Sequence, residues 1–451
     1  MKFKGTLIWA LVLIVLAAFV YLYEIRGGQQ RQEATEEARR LLPVATGEII
    51  ELTLRRPPET IVSRRTEDGW QITEPIVTAG DGATIERILQ TLTRAEKHRT
   101  VTDSATDLSP FGLDPPQTTV EVRDDQGQAG IIHLGGKNPA GSHVYARRED
   151  RPAVYLTGTP LLTQAQTELF QLRDRRVLVF EQPEVRGLTL QRGQETLELA
   201  RHAGQWTLKK PLQAMADNEK IDGMLRRLAA ARVGDYIAET PENLSSWGLD
   251  RPALSVTLIL GPEAAQKILQ IGDQSDDGRY ARDVSREPVF VIPEDLFQEL
   301  DAELFDLRNR SVLTFRKDRI AELELRDHGS TIVCRKDTSG QWVLAVPEST
   351  AADRWEVEAV INALADLEAE EFIDQDPADL QRYGLVDPRQ EVILRDEAGE
   401  QIARLRLGHE TDEGIYACDA GGRPVVRVSR TVLTAVSPKV KDLRKKEAAT
   451  P

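Results

Sequence analysis

Gly204-Gln205-Trp206-Thr207-Leu208-Lys209-Lys210-Pro211 returns 136 residues later as Gly340-Gln341-Trp342-Val343-Leu344-Ala345-Val346-Pro347, and 136 residues earlier as Asp68-Gly69-Trp70-Gln71-Ile72-Thr73-Glu74-Pro75. Only six tryptophans occur in 451 residues, so three in strict register mark an internal repeat. The same interval relates Asp81, Asp217 and Asp353. It also relates Gly112-Leu113, Gly248-Leu249 and Gly384-Leu385, each behind an aromatic (Phe111, Trp247, Tyr383), with Pro116, Pro252 and Pro388 following. Tyr-Ala recurs at Tyr145, Tyr280 and Tyr416, one residue out of register in the first copy, and Leu-Arg closes each unit at Arg173, Arg308 and Arg444.

A period of 136 exceeds the roughly 20–50 residues of a solenoid unit. Each copy is long enough to own a core, which predicts three tandem homologous domains over 47–178, 184–313 and 319–446, with a tail at 447–451. Short connectors at 179–185 and 314–319 hold neighbours close. Within a copy, alternating runs such as Ile50-Glu51-Leu52-Thr53-Leu54 predict strands. Asp81, Asp217 and Asp353 each stand as N-cap before apolar residues at helical spacing, for example Ile85, Ile88, Leu89 and Leu92. Period-two strands around Val120, Val256 and Val392, a hairpin at the Tyr-Ala pair and one last helix complete the unit. Strands outnumber helices and short turns join them, so the expected fold class is a mainly antiparallel α+β domain, three times over.

Ahead of the repeats, residues 6–23 (TLIWALVLIVLAAFVYLY) carry no charge. A helix of that length rises about 27 Å, close to the ~30 Å hydrocarbon core of a bilayer. Trp9, Tyr21 and Tyr23 suit its interfaces, and bulky residues stand where a cleaved signal needs small ones. The expectation is a stub at 1–5, a retained transmembrane anchor at 6–23 and a juxtamembrane stalk at 24–46, with a charged helix over 29–42 stopped by Pro43. The bulk of the chain is then extracytoplasmic, on a single-pass inner-membrane protein.

Fifty-eight basic against 73 acidic residues give a net charge of −15, which repels phosphate backbones and argues against nucleic acid as a partner. Two cysteines exclude a disulfide scaffold and a Cys-rich zinc module, while leaving open whether Cys334 and Cys418 pair. No phosphate loop, zinc-protease helix or serine elbow occurs, and the six histidines include no i,i+4 pair. The acidic hairpin loops at 273–278 and 410–414 lack the spacing of a calcium loop. No catalytic, cofactor or metal residue is therefore assigned. Lys439, Lys441, Arg444, Lys445 and Lys446 form the one basic cluster of note, read as the cationic end of the last helix.

The recurring tryptophans read as core and the aromatic-Gly-Leu turns as structural. Two sets remain as candidate interaction residues. Tyr145, Tyr280 and Tyr416 would serve a glycan if exposed, and Arg173, Arg308 and Arg444 would serve a domain closure or a partner.

The whole chain resembles a bacterial membrane-anchored family catalogued as domain of unknown function 4340. The resemblance rests on the apolar span followed by Tyr23-Glu24-Ile25-Arg26-Gly27-Gly28, on Gly69-Trp70-Gln71-Ile72-Thr73-Glu74-Pro75, on Phe111-Gly112-Leu113-Asp114-Pro115-Pro116 and on Val144-Tyr145-Ala146-Arg147. It is clearest in the first copy; Lys210-Pro211 and Val346-Pro347 replace Glu74-Pro75 in the others. The resemblance implies extracytoplasmic accessory proteins, often encoded beside subunits of an ABC-type export system related to gliding machinery, and transfers no functional residue. The leading expectation is a non-enzymatic, membrane-tethered interaction protein working with ABC transporter permease and ATPase subunits. The alternatives are a module binding a cell-envelope glycan and, less favoured, an envelope hydrolase.

Overall fold

A computed structural model describes residues 39–42, 44 and 46–445. The 6–23 span, most of the 29–42 helix and the 447–451 tail lie outside the described residues. Among those described, no helix is long and apolar enough to cross a membrane.

The alternating segments form three nine-stranded antiparallel sheets. In the first repeat the strands are β1 (Ile49–Arg56), β2 (Glu59–Thr66), β3 (Gly69–Glu74), β4 (Thr78–Ala79), β5 (Arg99–Thr102), β6 (Thr118–Asp124), β7 (Ala129–Lys137), β8 (His143–Arg148) and β9 (Val154–Gly158). Their order across the sheet is β4-β3-β2-β1-β6-β7-β8-β9-β5, and the other two repeats keep it strand for strand. Helix α1 (Gly82–Thr93) links the strands at the two sheet edges, β4 and β5. One final helix was expected; there are two short ones, α2 (Thr159–Ala165) and α3 (Leu169–Leu172). The break falls at Thr167, whose hydroxyl bonds back to the carbonyl of Gln164 and competes with helix continuation.

Each sheet presents one face to a helix. Leu52, Leu54, Val120, Val122, Ile132 and Leu134 point inward and meet Ile85, Ile88, Leu89 and Leu92 of α1. Burying four such helical side chains contributes about 1.5–3 kcal/mol each, as an upper estimate. The helix begins where the sequence places it. Asp81 Oδ1 accepts from the Thr84 amide at 2.8 Å, Asp217 Oδ1 from Lys220 at 3.0 Å and Asp353 Oδ1 from Trp355 at 3.0 Å.

The tryptophans are core. Trp70, Trp206 and Trp342 are 6%, 0% and 6% exposed, which removes them as ligand platforms. A cation lies over each ring: Arg65 at 4.8 Å, Arg201 at 5.6 Å and Lys336 at 5.3 Å from the centroid. The prolyl bond a few residues on is cis in all three copies, at Glu74-Pro75, Lys210-Pro211 and Val346-Pro347.

The units begin earlier than the strand pattern suggests. Leu41 and Leu42, assigned above to the stalk, are buried in the first core. Val177 and Leu178, assigned to the first repeat, are buried in the second core, and Leu313, assigned to the second, in the third. The reason is one recurring backbone contact beside the central helix. The amides of Leu41, Val177 and Val312 donate to the carbonyls of Ala95, Ala231 and Leu367 at 2.7, 3.2 and 3.0 Å. This lead-in has too few residues to show any periodicity. The described residues up to Arg176 accordingly form one compact unit, and those from Val177, which carry the second and third repeats, form another.

Candidate interaction surface

The Tyr-Ala pair is positioned by a turn packed on a bulge. Phe111-Gly112-Leu113 ends a short 3-10 turn with Gly112 at φ +65°, and Gly248 and Gly384 repeat it at +68° and +70°. The turn carbonyl sits hard against the strand opposite. A Cβ on Gly135, Gly272 or Gly408 would lie 2.1, 2.0 or 2.1 Å from the carbonyl oxygen of Phe111, Trp247 or Tyr383. The ladder shifts register at these glycines in every copy, between Leu134 and Lys137, Ile271 and Gln274, and Leu407 and Glu410. A bulge that admits another backbone requires glycine. The sequence reading missed this set although Gly136, Gly272 and Gly408 keep the 136-residue interval, because a glycine inside a strand carries no local sign of the backbone that packs on it.

On the far side of the bulge, Ala146, Ala281 and Ala417 turn fully into the core while Tyr145, Tyr280 and Tyr416 are half-buried. Tyr145 packs edge-to-face on Phe111 at 5.1 Å between ring centroids, and Tyr416 on Tyr383 at 5.2 Å. The Tyr383 hydroxyl donates to Asp374 at 2.9 Å, and that bond raises the pKa of the phenol. Tyr145 and Tyr416 thus brace the turn and are not free plates.

The closing arginines share a backbone role. Arg173, Arg308 and Arg444 form isolated bridges to Gly80, Ala216 and Ala352, so each repeat's last segment ties down the edge strand ahead of its helix. The amides of Asp81, Asp217 and Asp353 donate to the carbonyls of Leu172, Leu307 and Leu443 in the same join. Their side chains differ. Arg308 is 6% exposed, and its guanidinium lies 3.4 Å from the ring centroid of Phe372 in the third repeat. Phe305 meets the same ring at 6.0 Å, and Arg310 pairs with Glu368 at 2.9 Å. Burial lowers the basicity of Arg308, yet a guanidinium stays charged, and a desolvated stack of this kind contributes about 2 kcal/mol. Arg308 is therefore a joint between the second and third repeats. Arg173 is also buried, whereas the side chain of Arg444 is 51% exposed and pairs with Glu348.

The remaining chemical groups are dispersed. Cys334 and Cys418 are free and buried, and burial pushes both thiols up to about 11, which keeps them protonated and unreactive at neutral pH. In the acidic loops Glu410 pairs with Arg389 at 2.8 Å and Glu413 with Arg427, so these carboxylates diverge toward cations. Among the described residues, no three His, Cys, Asp or Glu side chains gather as metal ligands would. Of the basic cluster, Lys439 caps the start of the last helix, Val440–Leu443, and does not lie at its cationic end.

Two open grooves lie beside the recurring residues. One, of about 940 Å³ in the second repeat, is lined by Arg192, Lys210, Pro211, Asp301, Glu303 and Leu304. The other, of about 670 Å³ in the third, holds Trp342 and the strongly exposed Trp355, a residue the sequence reading did not single out because it recurs in neither other copy.

The same Trp-to-Trp interval appears when the chain is compared with known families. Domain of unknown function (DUF4340) matches residues 70–215, 206–342 and 342–450. The chain belongs to this family. Each DUF4340 match starts at a repeat's tryptophan and the first two run to or past the next one, so the family's unit is offset from the folded one. No curated protein matches the chain. Among solved structures it is similar to the DNA polymerase III subunit beta from Pseudomonas aeruginosa, at 10% identity over 88% of this chain and 95% of that one, with a TM-score of 0.15. A DNA polymerase sliding clamp from the same organism, with ligand, matches at 8% identity, the same coverages and a TM-score of 0.14. A Ca²⁺-stabilized adhesin of an Antarctic bacterium matches at 10% identity over 86% and 84%, with a TM-score of 0.07. None of the three superpositions is close enough to argue from.

Proposed function

We propose that this DUF4340 chain is a non-enzymatic, membrane-tethered extracytoplasmic protein that works by interaction, beside an ABC-type transporter complex. The observation that carries the reading is the pairing of an uncharged 18-residue stretch, 6–23, with three copies of one sheet domain whose recurring residues serve the fold. Trp, N-cap Asp, bulge Gly and closing Arg each have a structural task in every copy, so repetition multiplies a surface rather than a reaction centre. A tether raises the local concentration of such surfaces near a membrane partner, and weak contacts then suffice. The transporter as partner follows from the family resemblance alone.

The tether has its own test. In native membranes the full chain is expected to stay in the pellet after carbonate extraction and to be digested by protease added from the extracytoplasmic side. A chain beginning at Arg39, which keeps Leu41 and Leu42 in the first core, is expected in the soluble fraction. Release of the full chain by carbonate, or protection of the repeats from that protease, would contradict the proposal.

A further inference from the structure

The three repeats act as controls for one another, and one site departs from what the fold requires. At the first two positions of the central helix stand Gly82-Ala83, Asn218-Glu219 and Arg354-Trp355. Alanine and glutamate hold the same place in the same fold, so packing does not demand a tryptophan there. Trp355 is nonetheless 78% exposed, the most exposed of the large hydrophobic residues described. An aromatic of that size left in water offers a flat apolar face to a ligand.

The neighbouring residues change with it. In the first two repeats the core indole N–H donates to an acid on the helix, Trp70 to Glu86 at 2.9 Å and Trp206 to Asp222 at 3.1 Å. The equivalent Glu358 instead accepts from Arg354 Nε at 2.6 Å. That substitution at the helix start draws the carboxylate away from Trp342. The position after the closing arginine is Asp174, Asn309 and then Lys445, whose amide makes the same bond to the edge strand as the other two. Lys445 and Lys336 both line the groove with the two tryptophans, and neither makes an ion pair among the described residues.

We infer that this groove binds an acidic saccharide, a sugar chain bearing carboxylates. A pyranose ring offers an apolar C–H face to a flat aromatic plate and hydroxyls at its edge to planar charged groups. Trp355 supplies the plate, and the Arg354–Glu358 pair supplies a donor and an acceptor side by side. Three cations, Lys336, Arg354 and Lys445, stand against the carboxylates of Asp353 and Glu358. Asp353 caps the helix by accepting from the Trp355 amide and Glu358 is held by Arg354, so the two lysines are left to favour an anionic chain. A flat anionic lipid surface fits less well, because it would also meet the exposed Glu356, which lies on the same helix turn outside the groove. This inference stands apart from the transporter partnership and survives or fails without it.

The test titrates the full chain, in a detergent without a sugar headgroup, with oligogalacturonate while tryptophan emission is recorded. A saturable change is expected, weakened at least tenfold by Trp355→Ala and also by Lys445→Glu, with thermal unfolding of both variants unchanged. A neutral maltooligosaccharide is expected to bind at least tenfold more weakly. Absence of saturation, equal binding of the neutral sugar, or full binding by the Trp355→Ala protein would each overturn the inference. A response to anionic phospholipid vesicles and none to the oligosaccharide would overturn it in favour of a membrane contact.

Discussion

Trp206→Ala is expected to destabilise the second repeat by about 3–5 kcal/mol, the range for a fully buried aromatic cut to alanine. Trp206 is 0% exposed and packs among Leu188, Leu208, Ile221 and Leu225. Its removal leaves a void bounded by both the helix and the sheet, and neither can move in without giving up contacts elsewhere. Asp222 also loses its indole donor, though Arg201 stays within 3.5 Å to hold the carboxylate. Urea unfolding of the soluble repeats should show this loss as a lower midpoint. The same truncation at Trp355 should leave the midpoint unchanged. An unchanged midpoint for Trp206→Ala would mean that the recurring tryptophan is not the centre of the domain.

Gly408→Ala is expected to cost at least about 3 kcal/mol, from overpacking against atoms that cannot rotate away. The new Cβ would lie 2.1 Å from the Tyr383 carbonyl oxygen and 3.0 Å from the Gly384 carbonyl carbon, both backbone. Relief requires separating the aromatic-Gly-Leu turn from the bulged strand, which also dislodges Tyr416 from Tyr383. Gly340→Ala is the matched control in the same repeat. Gly340 has φ +79° but no neighbour within 4 Å, so the cost there is strain alone, about 1–2 kcal/mol. Denaturant midpoints should rank wild type, then Gly340→Ala, then Gly408→Ala. The reverse order of the two variants would refute the close approach at the bulge.

These two sites mark how far the sequence could be read. Trp206, Asp217 and the apolar face at Ile221, Met224, Leu225 and Leu228 were legible because each recurs at a fixed interval and each signal is local: a cap, a helical period, a rare residue. Gly136, Gly272 and Gly408 stand in the strict 136-residue register, but the close approach in the first copy falls on Gly135 beside it, and nothing local marks a glycine as the one a carbonyl presses against. Strand order was not legible either. The pairing of β1 with β6, and of β9 with β5, joins segments separated by helices and loops, and nothing local encodes which strands meet. The lead-in residues Leu41, Val177 and Leu313 are lone apolar positions without periodicity, and only tertiary contact reveals them as core.

The candidate site was less legible than the fold for a related reason. Recurrence picks out what the domain needs three times, which led to Tyr145, Tyr280, Tyr416 and the closing arginines. Tyr145 and Tyr416 brace a turn, and Arg308 joins two repeats. A site confined to one copy shows itself by divergence instead, as Trp355 does against Ala83 and Glu219. That contrast becomes visible only once exposure separates an unneeded tryptophan from a core one.

The most direct test of the account is co-purification of the full chain from native membranes in mild detergent, with a C-terminal tag and mass spectrometry. A version starting at Arg39, without the anchor but with the first core intact, is run beside it. The account predicts stoichiometric recovery of an ABC permease and its ATPase with the full chain. Persistence of that complex without the anchor would place the contact on the repeated domains. Recovery of the chain with no transporter subunit would contradict the account.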